Sequence, residues 1–161
     1  METKGILLRA RSLFQSLRIP ASGLTAQRQR LDVIAQNIAN AETTRTADGG
    51  PYRRQVASLA EVRSAPTFRL TPPPWEGGAE SVDPTRDLEG VQVVGVSQDP
   101  SDLVPVYDPG HPDANEDGYV LYPNVELTAE MVDLMGARRV YEANLSVFQA
   151  VKSMLRQATQ I

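Results

Sequence analysis

Leu17, Leu24, Leu31 and Ile38 recur at seven-residue spacing, with Ile34 and Ala35 on the same side. An apolar stripe of that period predicts a helix that packs against another helix. The far end of the chain offers the partner. Leu134, Tyr141, Phe148 and Leu155 form one seven-residue series, and Val140, Val147, Met154 and Ile161 form a second. Met131 and Leu145 lie between them, so the apolar sector is wider than a two-stranded seam needs. A helix of about 33 residues at that end is roughly 50 Å long. The chain therefore reads as two long helical ends around a middle of different character.

The ends of these helices carry local signals. Pro20 is acceptable only in a first helical turn, which predicts a regular helix starting near residues 19–21. Asn37, Asn40 and the Thr43-Thr44 pair mark its finish, because Asn tolerates the left-handed closing conformation and β-branched Thr favours leaving a helix. Thr128, with Glu130 nearby, marks the N-cap region of the second helix.

The middle has turn chemistry in ADGGP (47–51), a strand candidate at 52–62, and a linker with PPP at 72–74 and Gly-Gly at 77–78. VQVVGVS (91–97) is the clearest strand, and 103–107 and 119–122 are two more around the long turn DPGHPDANEDG. The expected fold class is α+β: paired N- and C-terminal long helices, coiled-coil-like, with a small β-rich, loop-rich middle domain read as one antiparallel module. The boundaries are 1–44 for the first helical segment, 45–125 for the middle with its linker at 63–89, and 126–161 for the second helix.

Composition narrows the function classes. The absence of cysteine excludes disulfides, Cys-ligated zinc and a thiol nucleophile. No run of about 18 apolar residues exists, so no direct membrane span is expected. The start, METKGILLRARSLF, has only a three-residue apolar run, which predicts no cleaved secretory signal. Residues 1–60 hold nine Lys/Arg against four Asp/Glu, and residues 61–161 hold seven against sixteen. Such a split can mark a basic arm for nucleic acid or a membrane. Here Arg9, Arg11, Arg18, Arg28 and Arg30 are spread along an apolar-striped helix, which reads as a solvated or protein-facing surface with no nucleic-acid partner.

Two sharper motifs give way to blander readings. Asp113, Asn115, Asp117 and Gly118 match the first half of a calcium loop, and a calcium-dependent binding module is the different-class alternative. The twelfth position is Asn124 rather than a bidentate Glu, so an Asx-rich turn is expected and no metal or other cofactor. His111 is the single histidine and reads as an exposed turn residue, which leaves no catalytic residues and no enzyme. Trp75 could anchor a partner or pack on its own loop.

Residues 24–44 (LTAQRQRLDVIAQNIANAETT), GGPYRRQ (49–55), GVQVVGVSQDPS (90–101) and the run from 103 to 161 containing YDPGHPDANEDGYVLYPNVE together resemble the bacterial flagellar rod and hook proteins. The first box indicates the wider family, and the later two narrow the resemblance to proximal rod proteins of the C type. It covers about residues 12–161; residues 1–11 form an extension, and Arg18 and Pro20 depart from the family pattern. Another axial protein, of the B type or hook type, is the alternative within the family. The resemblance implies a non-enzymatic subunit of a helical tube, in the periplasmic rod of the basal body, that transmits torque. It implies export by the flagellar type III apparatus and ends that stay partly disordered until assembly. It further implies contacts with B-, F- and G-type rod proteins and a rod-base adaptor, and self-association. The subunit interface expected from the stripes comprises Leu17, Leu24, Leu31, Ile34 and Ile38, with Leu134, Tyr141, Phe148, Leu155, Val140, Val147 and Met154.

Overall fold

A computed structural model describes residues 2–47, 49–63 and 88–158, with side chains for residues 17–47, 49–62 and 89–157. The expected linker prolines, Trp75 and Ile161 lie outside the described residues. The order of elements is α1 (Glu2–Ala39), β1 (Gln55–Arg63), β2 (Leu88–Gln98), β3 (Val104–Tyr107), β4 (Tyr119–Tyr122) and α2 (Leu127–Ala158). The class is α+β.

The first helix does not begin at Pro20, as its chemistry predicts; α1 runs through it. Proline costs a helix one N–H bond and a clash with the carbonyl four residues back, but its φ is already helical. Here the ring is buried, and the turn is held from both sides. Arg18 Nη2 bonds Glu89 at 2.6 Å, and Ser22 Oγ accepts the Val91 N–H at 3.1 Å. These tertiary contacts offset the missing bond.

The finish of α1 also differs from expectation. Asn37 sits inside the helix, and no described non-glycine residue has positive φ. The last turn closes instead through Asn40, whose backbone N–H and side-chain Nδ2 both donate to the Gln36 carbonyl, at 3.1 and 2.9 Å. One of the orphan carbonyls of a helix terminus is thereby satisfied without a left-handed residue. At the start of α2, the Glu126 carbonyl accepts the first N–H, from Glu130, at 3.0 Å. Thr128 therefore lies within the first turn and is exposed.

The two helices pack antiparallel. Gly23 lies beside Asn144, Arg30 is 3.7 Å from Asp133, and Asn37 bonds Glu130 at 3.1 Å. Their closest approach is built from small residues: Ala26 and Ala137 are buried, and a Cβ on Gly23 would come within 2.8 Å of the Asn144 side chain. Val33 and Ile34 are also buried on α1.

The middle is two separate two-stranded sheets rather than the single module expected from sequence. β1 and β2 pair antiparallel as a ribbon lying on α1. The register shifts between Ser58 and Leu59 and again between Val62 and Arg63, so Val94 and Glu89 are extra residues on β2. At the second irregularity Gly90 has φ +133° and its backbone presses on Ser22, leaving no room for a Cβ. β3 and β4 form the other hairpin, with Tyr107 opposite Tyr119 and their rings edge-on at 5.3 Å. Val120 turns inward and is buried. The separation follows from the chain between them: Asp99 is held to Arg54, and Ser101 to Arg53 and Asn124, rather than continuing a ladder.

Candidate subunit interface

The segment GGPYRRQ ties both helices and the start of the β1–β2 ribbon to one point. Asn37 is fully buried, and all four of its side-chain hydrogen-bonding positions are filled. Its Nδ2 donates to the Gln55 carbonyl at 2.9 Å and to Glu130 Oε2 at 3.1 Å. Its Oδ1 accepts the Tyr52 hydroxyl at 3.0 Å and the Gln55 N–H at 2.9 Å. Glu130, also fully buried, receives Arg54 Nε on Oε1 at 2.6 Å. Arg54 then reaches Asp99 at 3.4 Å and Asp133 at 3.6 Å, so one planar fork spans three carboxylates. Asn124 extends the network by accepting the Arg54 N–H at 2.8 Å and donating to Ser101 Oγ at 2.8 Å.

The electrostatics follow the contacts. The hydrogen bond that Arg54 donates to Glu130 raises the Arg54 pKa above its ordinary value. The Ser101 hydroxyl, then the Ser101 N–H and Arg54, hold the Asp99 carboxyl below its ordinary 3.8. Burial, with the Glu130 charge behind it, raises the Tyr52 phenol above 10.0. Arg54, Asp99 and Tyr52 are thus held in the form their partners require, and the network locks the helix pair.

Neither Arg54 nor Glu130 was read from sequence as part of a network. One signal was available. Glu130, Leu134, Ala137 and Tyr141 follow helical spacing along the inward face of α2, so an acid stands in an apolar stripe and needs a buried partner.

Of the twelve residues expected at an interface, only Ile34 is buried. Leu17, Leu24, Leu31 and Ile38 are half-buried, as are Leu134, Tyr141, Phe148 and Leu155. Val140, Val147 and Met154 are 46%, 51% and 58% exposed. At 100° per residue these three run along one flank of the buried face of α2, while Leu145 and Met131 lie along the opposite flank. On α1 the leucine series lies nearly opposite Ser22, away from the β1–β2 ribbon. Internal packing therefore leaves apolar surface on two sides of the helix pair.

The acidic turn closes on itself. Asn115 Oδ1 accepts the N–H groups of Asp117 and Tyr119 at 3.1 and 2.8 Å, and Gly118 takes φ +80° beneath the Tyr107 ring. Asp113 turns away to Thr44 at 2.9 Å and Arg45 at 3.5 Å. His111 is half-buried rather than exposed, its Nδ1 accepting the Asp113 N–H at 3.1 Å. Among the described residues no group of three or more His, Asp or Glu side chains is placed to hold a metal ion, and no helix is long and apolar enough to cross a membrane.

Paired terminal helices locked around a small β middle, with apolar flanks left open, define an assembly subunit. Family comparisons state which assembly. Residues 17–45 match the family described as flagella basal body rod protein, and residues 116–161 match the C-terminal region described for the flagellar basal body rod FlgEFG proteins. The chain is 46% identical to the flagellar basal-body rod protein FlgC of Borreliella burgdorferi, over 92% of this chain and 97% of that protein. It is 42% identical to FlgC of Bacillus subtilis over the same shares, and 41% identical to FlgC of an Escherichia coli strain over 89% and 93%. The chain belongs to the FlgC family of flagellar basal-body rod proteins, and its role is that of a structural rod subunit.

Proposed function

We propose that this subunit builds the proximal part of the rod as one unit of a helical tube, with its paired helices in the inner layer and its β middle outside them. The observation that carries the reading is the pair of exposed apolar flanks on α2, beside a helix pair already locked by Asn37, Arg54 and Glu130. Exposed apolar surface of this extent beside a satisfied interior calls for a partner. Two flanks fit two lateral neighbours, and a head-to-tail contact that does not close on itself propagates as a helix. Val140, Val147 and Met154 then meet one neighbour. The leucine series of α1, with the half-buried edges of Leu134, Tyr141, Phe148 and Leu155, meets another.

In this reading the antiparallel pair works like a coiled coil. An α2 of 32 residues is about 48 Å of stiff rod, and many interdigitated side chains share the torque. The neighbours are further copies, the B-, F- and G-type rod proteins and the rod-base adaptor. Export proceeds through the flagellar type III apparatus into the periplasmic space, and the activity is mechanical, without catalysis.

Val147→Asp tests this. The side chain is half exposed, so the isolated chain keeps its stability to within about 0.5 kcal/mol. A desolvated charge at a subunit contact abolishes rod assembly and swimming. Normal rods in cells carrying Val147→Asp contradict the reading.

A further inference from the structure

A second heptad seam runs along α2, outside the face that packs on α1. Gly136, Val140, Ala143, Val147, Ala150 and Met154 follow one another at alternating steps of four and three residues, and all six are exposed. The seam carries no charge and alternates in size, glycine or alanine at one step and valine or methionine at the next. A Cβ built on Gly136 meets nothing within 4 Å, so the socket there is open. The leucine side of α1 is the complement in size. Leu24, Leu31 and Ile38 are large and half-buried, with Ala21, Arg28 and Ala35 at the intervening steps.

The two surfaces cannot meet within one chain. Val140 shares a groove with Gly90 and Val91, so the α2 seam faces the side of the helix pair that carries the β1–β2 ribbon. The leucine series lies nearly opposite Ser22, which binds that ribbon, so it faces the other side. Surfaces on opposite sides of one body come together when a second copy is displaced without being turned over. Such a contact is head-to-tail and repeats from copy to copy.

We propose that the α2 seam receives the α1 leucine series of a second copy of this chain, antiparallel, with Leu31 seated over Ala143. In that register Ile38 lies over Gly136 and Leu24 over Ala150, while Val140 and Met154 meet Ala35 and Ala21. Every large residue then faces a small one except at Val147, along which the Arg28 stem lies with its head at the rim. A shift of one heptad in either direction leaves Ile38 or Leu24 without a socket. Inside a chain Gly23 lies beside Asn144, so the contact between copies is one heptad out of step with it, and each copy rises about 10 Å on the last. The proposal rests on the rod reading and names the partner: two flanks assigned there to separate neighbours become the two halves of one repeated contact.

Leu31→Cys and Ala143→Cys placed together in one chain test the contact, since the chain has no cysteine of its own. The variant replaces the native chain in cells, and isolated basal bodies are oxidised with copper phenanthroline. Electrophoresis without reductant shows covalent dimers and higher multiples, while either single variant stays monomeric. A second pair, Leu24→Cys with Ala150→Cys, gives the same ladder. Within one chain each pair projects from opposite sides of the helix pair, beyond the roughly 7 Å Cα separation a disulfide can span, so every link joins two copies. Leu31→Cys with Gly136→Cys is about 10 Å out of register and does not link. Ala143→Leu gives a readout without thiols. The position is exposed, so the isolated chain melts like the native one, but the socket is filled and recovery in basal bodies falls at least about tenfold. The proposal is overturned by paired variants that enter basal bodies without linking, by a link to a protein of another mass, or by dimers from a single variant. Linking through Gly136→Cys in place of Ala143→Cys, or native-level recovery of Ala143→Leu, overturns it as well. Absence of the native chain itself from basal bodies overturns the rod reading instead.

Discussion

The Asn37 side chain donates to the Glu130 carboxylate at 3.1 Å across 93 positions of sequence, and both residues are fully buried. This bond joins the end of α1 to the start of α2 and sets the register of the antiparallel pair. Replacing Asn37 by Ala strands the Tyr52 hydroxyl, the Gln55 N–H and one side of Glu130. The expected loss is about 2–4 kcal/mol. In thermal melting that is a fall of roughly 5–15 °C for a chain of this size.

Arg54 is the single base facing Glu130 in the network. Removing it leaves a buried uncompensated carboxylate, which costs about 3–5 kcal/mol. Arg54→Met is therefore more damaging than the double variant Arg54→Met with Glu130→Leu, which leaves Asp99 and Asp133 partly solvated but no fully buried charge. Arg54→Lys recovers only part of the loss, since a point charge cannot reach Glu130, Asp99 and Asp133 together. Denaturant titration of the four chains orders them.

The network also sets a pH response at both ends of the scale. The Asp99 pKa is lowered in the fold, so its contribution is fully present above the ordinary value of 3.8 and is lost as pH falls through the folded value. Tyr52 is raised, so its contribution is present below 10.0 and is lost as pH rises through the folded value. Melting temperatures across pH should show Asp99→Asn below the native chain at neutrality, with the gap narrowing in acid. Tyr52→Phe should show its gap narrowing only in alkali. Gaps that stay constant with pH contradict the assignment.

Gly90→Ala should be the most damaging single-methyl addition in the β1–β2 ribbon. The position combines φ +133° with overlap against Ser22, and Ser22 Oγ is the acceptor of the Val91 N–H. The expected cost is at least about 2 kcal/mol. Gly95→Ala on the same strand is the control, because a Cβ there meets nothing within 4 Å.

The elements that sequence reveals here are those governed by local periodicity. The stripes of α1 and α2 and the alternation in β2 arise from neighbours three, four or two positions apart. What escaped was set by distant contacts. Pro20 reads as a helix start until Arg18 and Ser22 are seen bound to β2. Asn37 reads as a helix stop until its amide is seen to be the meeting point of Tyr52, Gln55 and Glu130. The candidate interface was legible as a surplus of apolar positions, but not as flanks. Which of those positions stay exposed depends on Gly23, Ala26 and Ala137 bringing the helices close, and the leucine series gives no sign of that.

The measurement that bears most directly on the account is a density map of the assembled rod at side-chain resolution. The account predicts that residues 17–39 and 127–158 lie antiparallel in the inner layer, with Val140, Val147 and Met154 buried against the helices of an adjacent subunit. A map in which those three side chains face solvent, or in which the helix pair lies outside the inner layer, contradicts it.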